Sequence, residues 1–147
     1  MPAQADIIVS SPDSTEVKLL VEAKLGNPKF PESESQLKRF MLQLGCPLGL
    51  LISPQRLWIY VDRLTSYSED SIERVGEFST NELIDLRGAA SADEVSFENA
   101  IQNWLENLSR STLSRVKDPK LREIVSHYLL PAVETGVVRA TGPRSSR

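Results

Sequence analysis

Asp6, Glu22 and Lys24 are residues whose types and spacing could do chemistry together. Glu22 and Lys24 close the apolar run Val17-Lys18-Leu19-Leu20-Val21-Glu22-Ala23-Lys24. Alternate side chains of a strand share a face, so Glu22 and Lys24 point the same way, together with Leu20 and Lys18. A buried strand rarely ends in two charges on one face unless they have partners or a task. Asp6 opens a second short apolar run, Ala5 to Val9, and the turn-rich stretch Ser10-Ser11-Pro12-Asp13-Ser14 separates the two. That order reads as a β-hairpin. Folded about residues 13 and 14, it sets Asp6 across from Leu20 to Glu22, and cross-strand neighbours sit within about 5 Å. Two acids and a lysine so gathered can hold Mg²⁺ or Mn²⁺ through hard oxygen ligands and orient or deprotonate an attacking water.

The spacing Asp6…Glu22-Ala23-Lys24 resembles the active-site signature of the PD-(D/E)XK nuclease superfamily, the fold of many restriction enzymes and RecB-type nucleases. The resemblance implies a metal-dependent nuclease acting on DNA. Asp6 and Glu22 would bind the metal, the carbonyl of Ala23 would add a ligand, and Lys24 would assist the water. Ala5 stands where the family often has proline. A literal Pro-Asp occurs at Pro12-Asp13, but it falls in the predicted turn, roughly 25–30 Å from Glu22 along the strand. Asp6 is therefore the candidate. RecB-type relatives also carry Gln-x-x-x-Tyr in the following helix, and here Gln36-Leu37-Lys38-Arg39-Phe40 matches except for phenylalanine in place of tyrosine. Such a glutamine reaches the metal-bound water or a phosphate; alternatively Gln36 only caps its helix, and both readings stand.

The remaining elements must position these groups. Two prolines and a glycine make residues 25–31 a loop. Ser33-Glu34-Ser35-Gln36 has the pattern of a capping box, followed by Leu37, Phe40, Met41 and Leu44 at helical spacing, with Gly45 and Pro47 ending the helix at about Leu44. Leu48 to Ser53 is continuously apolar, as expected of a central strand covered on both faces. A turn at Ser53-Pro54-Gln55-Arg56 leads to the aromatic, β-branched strand Leu57 to Asp62. This passage looks like the corresponding part of type I restriction-subunit N-terminal domains, so the resemblance covers about residues 5–62. Trp58 and Tyr60 read as packing residues rather than base-stacking ones.

Residues 64–70 are polar and looping, and Ile72, Val75 and Phe78 suggest a short extended or irregular piece. Ser79-Thr80-Asn81-Glu82 offers another capping box before a short helix over Leu83 to Leu86 that stops at Gly88, with Ala89-Ala90 as a linker. A clear amphipathic helix opens at Ser91-Ala92-Asp93-Glu94 and carries Phe97, Ile101, Trp104, Leu105 and Leu108 on one side. After a break near Ser109 to Ser114, Asp118-Pro119 fit an N-cap and first helical position, and Leu121 to Leu129 repeat the apolar stripe until Pro131 ends or kinks the helix. These helices could pack as an antiparallel pair on the sheet, stand in for an absent N-terminal helix, or form a homodimer surface.

The expected fold is α/β: a small mixed central sheet with flanking helices, restriction endonuclease-like but without the usual N-terminal helix, plus a C-terminal helical segment. The resemblance implies a helix, and usually a strand, before the first acid, and only five residues precede Asp6. The expected division is a nuclease-like core over 1–66, a mainly helical extension over 67–135 packed on it, and a flexible basic tail over 136–147.

The chain of 147 residues is 40% hydrophobic and 25% charged, ordinary for a globular protein. No apolar run reaches the length of a membrane span and no signal-peptide pattern opens the chain, so no membrane partner and a reducing, cytoplasmic setting are expected. With Cys46 the lone cysteine and His127 the lone histidine, thiolate clusters, zinc sites and Ser-His-Asp chemistry are set aside. Residues 1–66 carry seven basic and seven acidic side chains, 67–108 two and ten, and 109–147 eight and three. The basic third could meet a phosphate backbone or serve as a solvated face. Two other readings of the acids and lysine stay open. One is a nuclease fold kept as a non-catalytic DNA-binding or assembly module, and the other a structural charge pair on an unrelated α/β sheet.

Overall fold

The computed structural model describes residues 6–26, 28–85 and 93–140. Its centre is the pair of strands β2 (Val17–Ala23) and β3 (Leu48–Ile52), which run parallel in the register Leu20↔Gly49 to Ala23↔Ile52. All five residues of β3 are buried, as is β2 from Leu19 on, because both faces of the sheet are covered. The helix α1 (Glu32–Leu44) makes the crossover between them. Outward on one side lie β4 (Arg56–Asp62) and β5 (Ile72–Ser79), both antiparallel to their neighbours. On the other side β1 (Ile7–Ser10) pairs antiparallel with β2, and a last strand, β6 (Val137–Ala140), pairs antiparallel with β1. The result is a mixed sheet of six strands in the order β5-β4-β3-β2-β1-β6.

One face packs against α1, where Leu37 and Met41 meet Leu20, Leu51, Trp58, Tyr60 and Ile72. Gly49 lets α1 sit close, since a Cβ there would come within 2.6 Å of the Met41 Sδ. The opposite face holds the larger core, made by α2 (Glu94–Glu106), α3 (Arg110–Leu113), α4 (Pro119–Ile124) and α5 (Leu130–Glu134). Phe97, Ile101 and Leu105 of α2 and Leu121 and Ile124 of α4 are the stripes that the periodicity marks, and both lie in this one core. Asp93 and Asp118 cap α2 and α4 as expected, with side chains accepting from Ser96 N and from Lys120 N and Leu121 N.

Several expectations need correction. α1 begins at Glu32, after Pro31, so Ser33 is inside the helix and no capping box forms; its Oγ instead accepts from Lys29 N at 3.2 Å. The helix does end at Leu44, with Gly45 in the left-handed conformation (φ 62°). The irregular piece around Ile72 is an eight-residue strand, β5. Its apolar alternation is broken because it is an edge strand and its partner carries a register shift at Ile59/Tyr60. Ser79 N donates to Glu82 Oε2 at 3.1 Å as a capping box would, yet only a 3₁₀ turn over Thr80–Glu82 follows. The break after Leu108 contains the short helix α3, capped by Ser109. Pro131 does not end the last helix. A proline there has no N–H for the His127 carbonyl and its ring crowds that group. A wider π-helical turn at Val125–Leu129 absorbs the mismatch, and α5 continues through Pro131 to Glu134.

The expected tail also departs from expectation, since residues 137–140 form β6 and complete the sheet. The sheet thus draws on both sides of the expected boundary at residue 66. Residues 141–147, the linker at Ala89-Ala90 and the helix end at Gly88 lie outside the described residues. Among the described residues, no helix is long and apolar enough to cross a membrane.

α1 is tied to the sheet by polar groups as well. Glu34 Oε2 accepts from Tyr60 Oη at 2.8 Å and from Arg74 Nε and Nη2 at 2.9 and 2.6 Å, and Lys38 Nζ lies 4.0 Å from Oε1. Burial raises the Glu34 carboxyl, but the Arg74 and Tyr60 hydrogen bonds and the Arg74 and Lys38 charges outweigh it and hold its pKa below the ordinary 4.5. A carboxyl lowered on folding stabilises the protein above its unfolded pKa, and that stability is lost as pH falls through the folded value. Urea unfolding of Glu34→Gln should therefore lose less stability than the wild type as pH drops from about 4.5 into the acid range. Parallel slopes for the two proteins in that window would refute the linkage.

Candidate functional site

Asp6 stands one residue ahead of β1, just beyond the ladder pair Ile7↔Val21. Its backbone N donates to Val21 O at 2.9 Å, and its Oδ2 accepts from Ala23 N at 2.7 Å. The side chain thus caps the end of β2 where its hydrogen-bonding ladder with β1 runs out. The neighbouring pair Ile8↔Leu20 faces α1. By strand alternation Asp6, Glu22 and Lys24 belong to the same face. Asp6 is 7% exposed and Glu22 5%. Lys24 Nζ lies 3.6 Å from Glu22 Oε2, with the lysine side chain 38% exposed and the glutamate 7%. Burial of two carboxylates on one face is costly unless cations or donors compensate them. The Ala23 amide and the Lys24 ammonium supply part of that compensation.

Asp13 occupies the hairpin turn as expected. Hydrogen bonds from Ser11 Oγ (2.8 Å) and from Thr15 Oγ1 and N (2.8 and 3.1 Å) hold its carboxyl below the usual range. It shapes the turn and is remote from Glu22.

Gln36 is half-buried on α1. It and Lys24 line one cavity of about 410 Å³, shared with Lys29, Glu32, Ser33 and Glu94. Gln36 lies four positions beyond Glu32, the first residue of α1, so the capping role left open for it falls away. The structure therefore brings together Asp6, Glu22 and Lys24 on one face and Lys24 with Gln36 around one cavity, although Asp6 and Glu22 do not line that cavity. Among the described residues, no group of three His, Cys, Asp or Glu side chains is placed to hold a metal ion. The donor set at hand is two carboxylates and the Ala23 carbonyl, which fits Mg²⁺, an ion held by one or two carboxylates with waters and substrate phosphate.

Lys29 and Glu94 are cavity residues that the sequence did not mark. Lys29 sits in a proline-rich loop without periodicity, and Glu94 arrives from a helix distant in sequence, so neither leaves a local signal. Trp58 and Tyr60 are buried packing residues, 6% and 0% exposed. Burial and the hydrogen bond to Glu34 raise the Tyr60 pKa. Cys46 is buried and its thiol is pushed up to about 12, which leaves it unreactive. His127 lines a separate cavity with Val17, Lys18 and Leu48, at the beginnings of β2 and β3, whereas Lys24 follows the end of β2. Arg56 pairs with Glu77 at 3.4 Å and is 55% exposed.

Compared with protein-family models, with curated proteins and with solved structures, the chain matches none.

Proposed function

We propose that this protein is a metal-dependent nuclease that hydrolyses DNA phosphodiester bonds at Asp6, Glu22 and Lys24. The observation that carries the reading is the burial of Asp6 and Glu22 on one face at adjoining strand ends, with Lys24 Nζ 3.6 Å from Glu22. The order hairpin, helix, parallel strand, antiparallel strand supports it further, being the order the resemblance implies after the first acid.

Asp6, Glu22 and the Ala23 carbonyl would hold Mg²⁺ or Mn²⁺, which when bound polarises the phosphoryl oxygen and stabilises the leaving oxygen. Glu22 keeps Lys24 charged and aimed along the sheet face. From there the Lys24 ammonium donates to the attacking water and orients its lone pair toward phosphorus. Gln36, entering the same cavity from α1, donates its amide to a phosphate oxygen or to that water. The water oxygen bonds to phosphorus as the P–O ester bond breaks.

The test is incubation of the purified protein with plasmid and single-stranded DNA in Mg²⁺, then in EDTA, beside Lys24→Ala. Cleavage should require the metal and fall about a hundredfold in the variant, the size of a lost proton-handling group. Metal-independent cutting, or a variant as fast as the wild type, would sink the proposal. One observation favours a second reading, a non-catalytic DNA-binding or assembly module: Glu32 and Glu94 share the cavity with Lys24 and Lys29 and would repel a phosphate there. Binding without cleavage, unchanged by Lys24→Ala, would support that module.

A further inference from the structure

Phe30 lies in the loop between β2 and α1, flanked by Lys29 and, two residues on, Glu32, both of which line the Lys24 cavity. Its ring meets that of Trp58 edge-on, with centroids 5.0 Å apart and planes at 66°. The Arg74 guanidinium lies over the same ring, 5.3 Å from its centroid, and is itself held by Glu34. Phe30 nevertheless remains 39% exposed. Anchoring the loop on Trp58 accounts for the covered part of the ring and not for the rest.

The register locates this ring relative to the acids. Glu22, Leu51, Trp58 and Glu77 form one cross-strand row over β2, β3, β4 and β5. Trp58 is thus two strand spacings, about 10 Å, from Glu22 on the α1 side of the sheet. A strand with one phosphate at Lys24 would carry a neighbouring base toward Phe30. A ring fixed from two directions loses little freedom when a base stacks on it, so most of the stacking energy is retained.

We propose that the substrate of this site is single-stranded DNA, with an unpaired base next to the reacting phosphate stacked on Phe30. The inference rests on the nuclease reading for the place of the phosphate. In a duplex both faces of each base are covered by its neighbours, so a surface aromatic gains contact only with a base that is unpaired. The Arg74 guanidinium beside the ring adds a positive charge toward the strand. Lys29 and Lys24 lie on the cavity wall where the backbone would pass.

The test measures binding of labelled single-stranded and duplex oligonucleotides of one sequence, in EDTA, to the wild type, Phe30→Ala, Phe30→Leu and Phe30→Trp. Phe30→Leu keeps apolar contact with Trp58, and thermal melting verifies that each variant folds. Single strands should bind more tightly than duplex to the wild type. That affinity should drop about tenfold in the alanine and leucine variants and persist in the tryptophan variant, with duplex binding unmoved. Single-strand affinity unchanged in Phe30→Leu, or a preference for duplex, would overturn the inference. Mg²⁺-dependent plasmid cleavage is scored separately. Cleavage with no Phe30 effect on single-strand binding defeats the stacking site and leaves the nuclease reading intact. Phe30-dependent single-strand binding with no cleavage in any metal upholds the stacking site and defeats the nuclease reading.

Discussion

Glu22→Gln should lower Mg²⁺-dependent cleavage about a thousandfold or more, the several kcal/mol that a metal-held transition state is worth, while the fold stays intact. Glutamine keeps the shape of the side chain and removes its charge. Glu22 is 5% exposed, so the wild type pays to desolvate that charge, and the neutral variant does not. The partner left behind, Lys24, is 38% exposed and can turn its amine to water. Melting of the variant in EDTA should therefore match or exceed the wild type. Mg²⁺ supplies the contrast. At a tenfold excess over its dissociation constant it should stabilise the wild type by about 1.4 kcal/mol, and the variant by almost nothing. A mere structural charge pair would show the opposite, with no metal-dependent shift in either protein. Equal Mg²⁺ shifts for the two proteins, or equal cleavage rates, would remove Glu22 from the metal site.

The hairpin and its charged ends were legible because two local signals agree there. Apolar runs of strand length flank Ser10 to Ser14, and folding them about residue 14 places Ile7 against Val21, as the register does. β3 was legible from its unbroken apolar run, since only a strand covered on both faces lacks polar positions. The expected helix start at Ser33 failed because Pro31 already places the chain at the first turn, and Ser33 is spent on Lys29 N. β6 left no mark because Val137-Val138-Arg139-Ala140 is short and mostly exposed, and it becomes a strand through pairing with β1. Gly136, just before it, has Val9 Cγ1 and the Ala132 carbonyl both 2.7 Å from where a Cβ would stand, a packing demand invisible in the chain. The cavity around Lys24 and Gln36 was half legible: the lysine and glutamine came from spacing, whereas Glu94 reached it through tertiary folding alone.

Leu50 and Leu51, adjacent in β3 and both fully buried, separate stability from site geometry. Leu50 faces the core built by α2 to α5, and Leu51 faces α1 in the row between Glu22 and Trp58. Each truncation to alanine removes the same atoms from a close-packed interior and should cost about 2–5 kcal/mol in urea unfolding. Their effects on chemistry should differ. The Leu51→Ala cavity opens beneath the helix that carries Gln36 and beside the strand that carries Glu22. A displacement of even a fraction of an ångström there loosens the geometry on which catalysis depends. Cleavage by Leu51→Ala, measured cold enough that both variants are fully folded, should drop about tenfold or more, whereas Leu50→Ala should cut at close to the wild-type rate. Equal losses in the two variants would mean that the α1 face holds no special relation to the reacting groups. Glu22, Lys24 and Gln36 would then owe their proximity to packing rather than to a shared reaction.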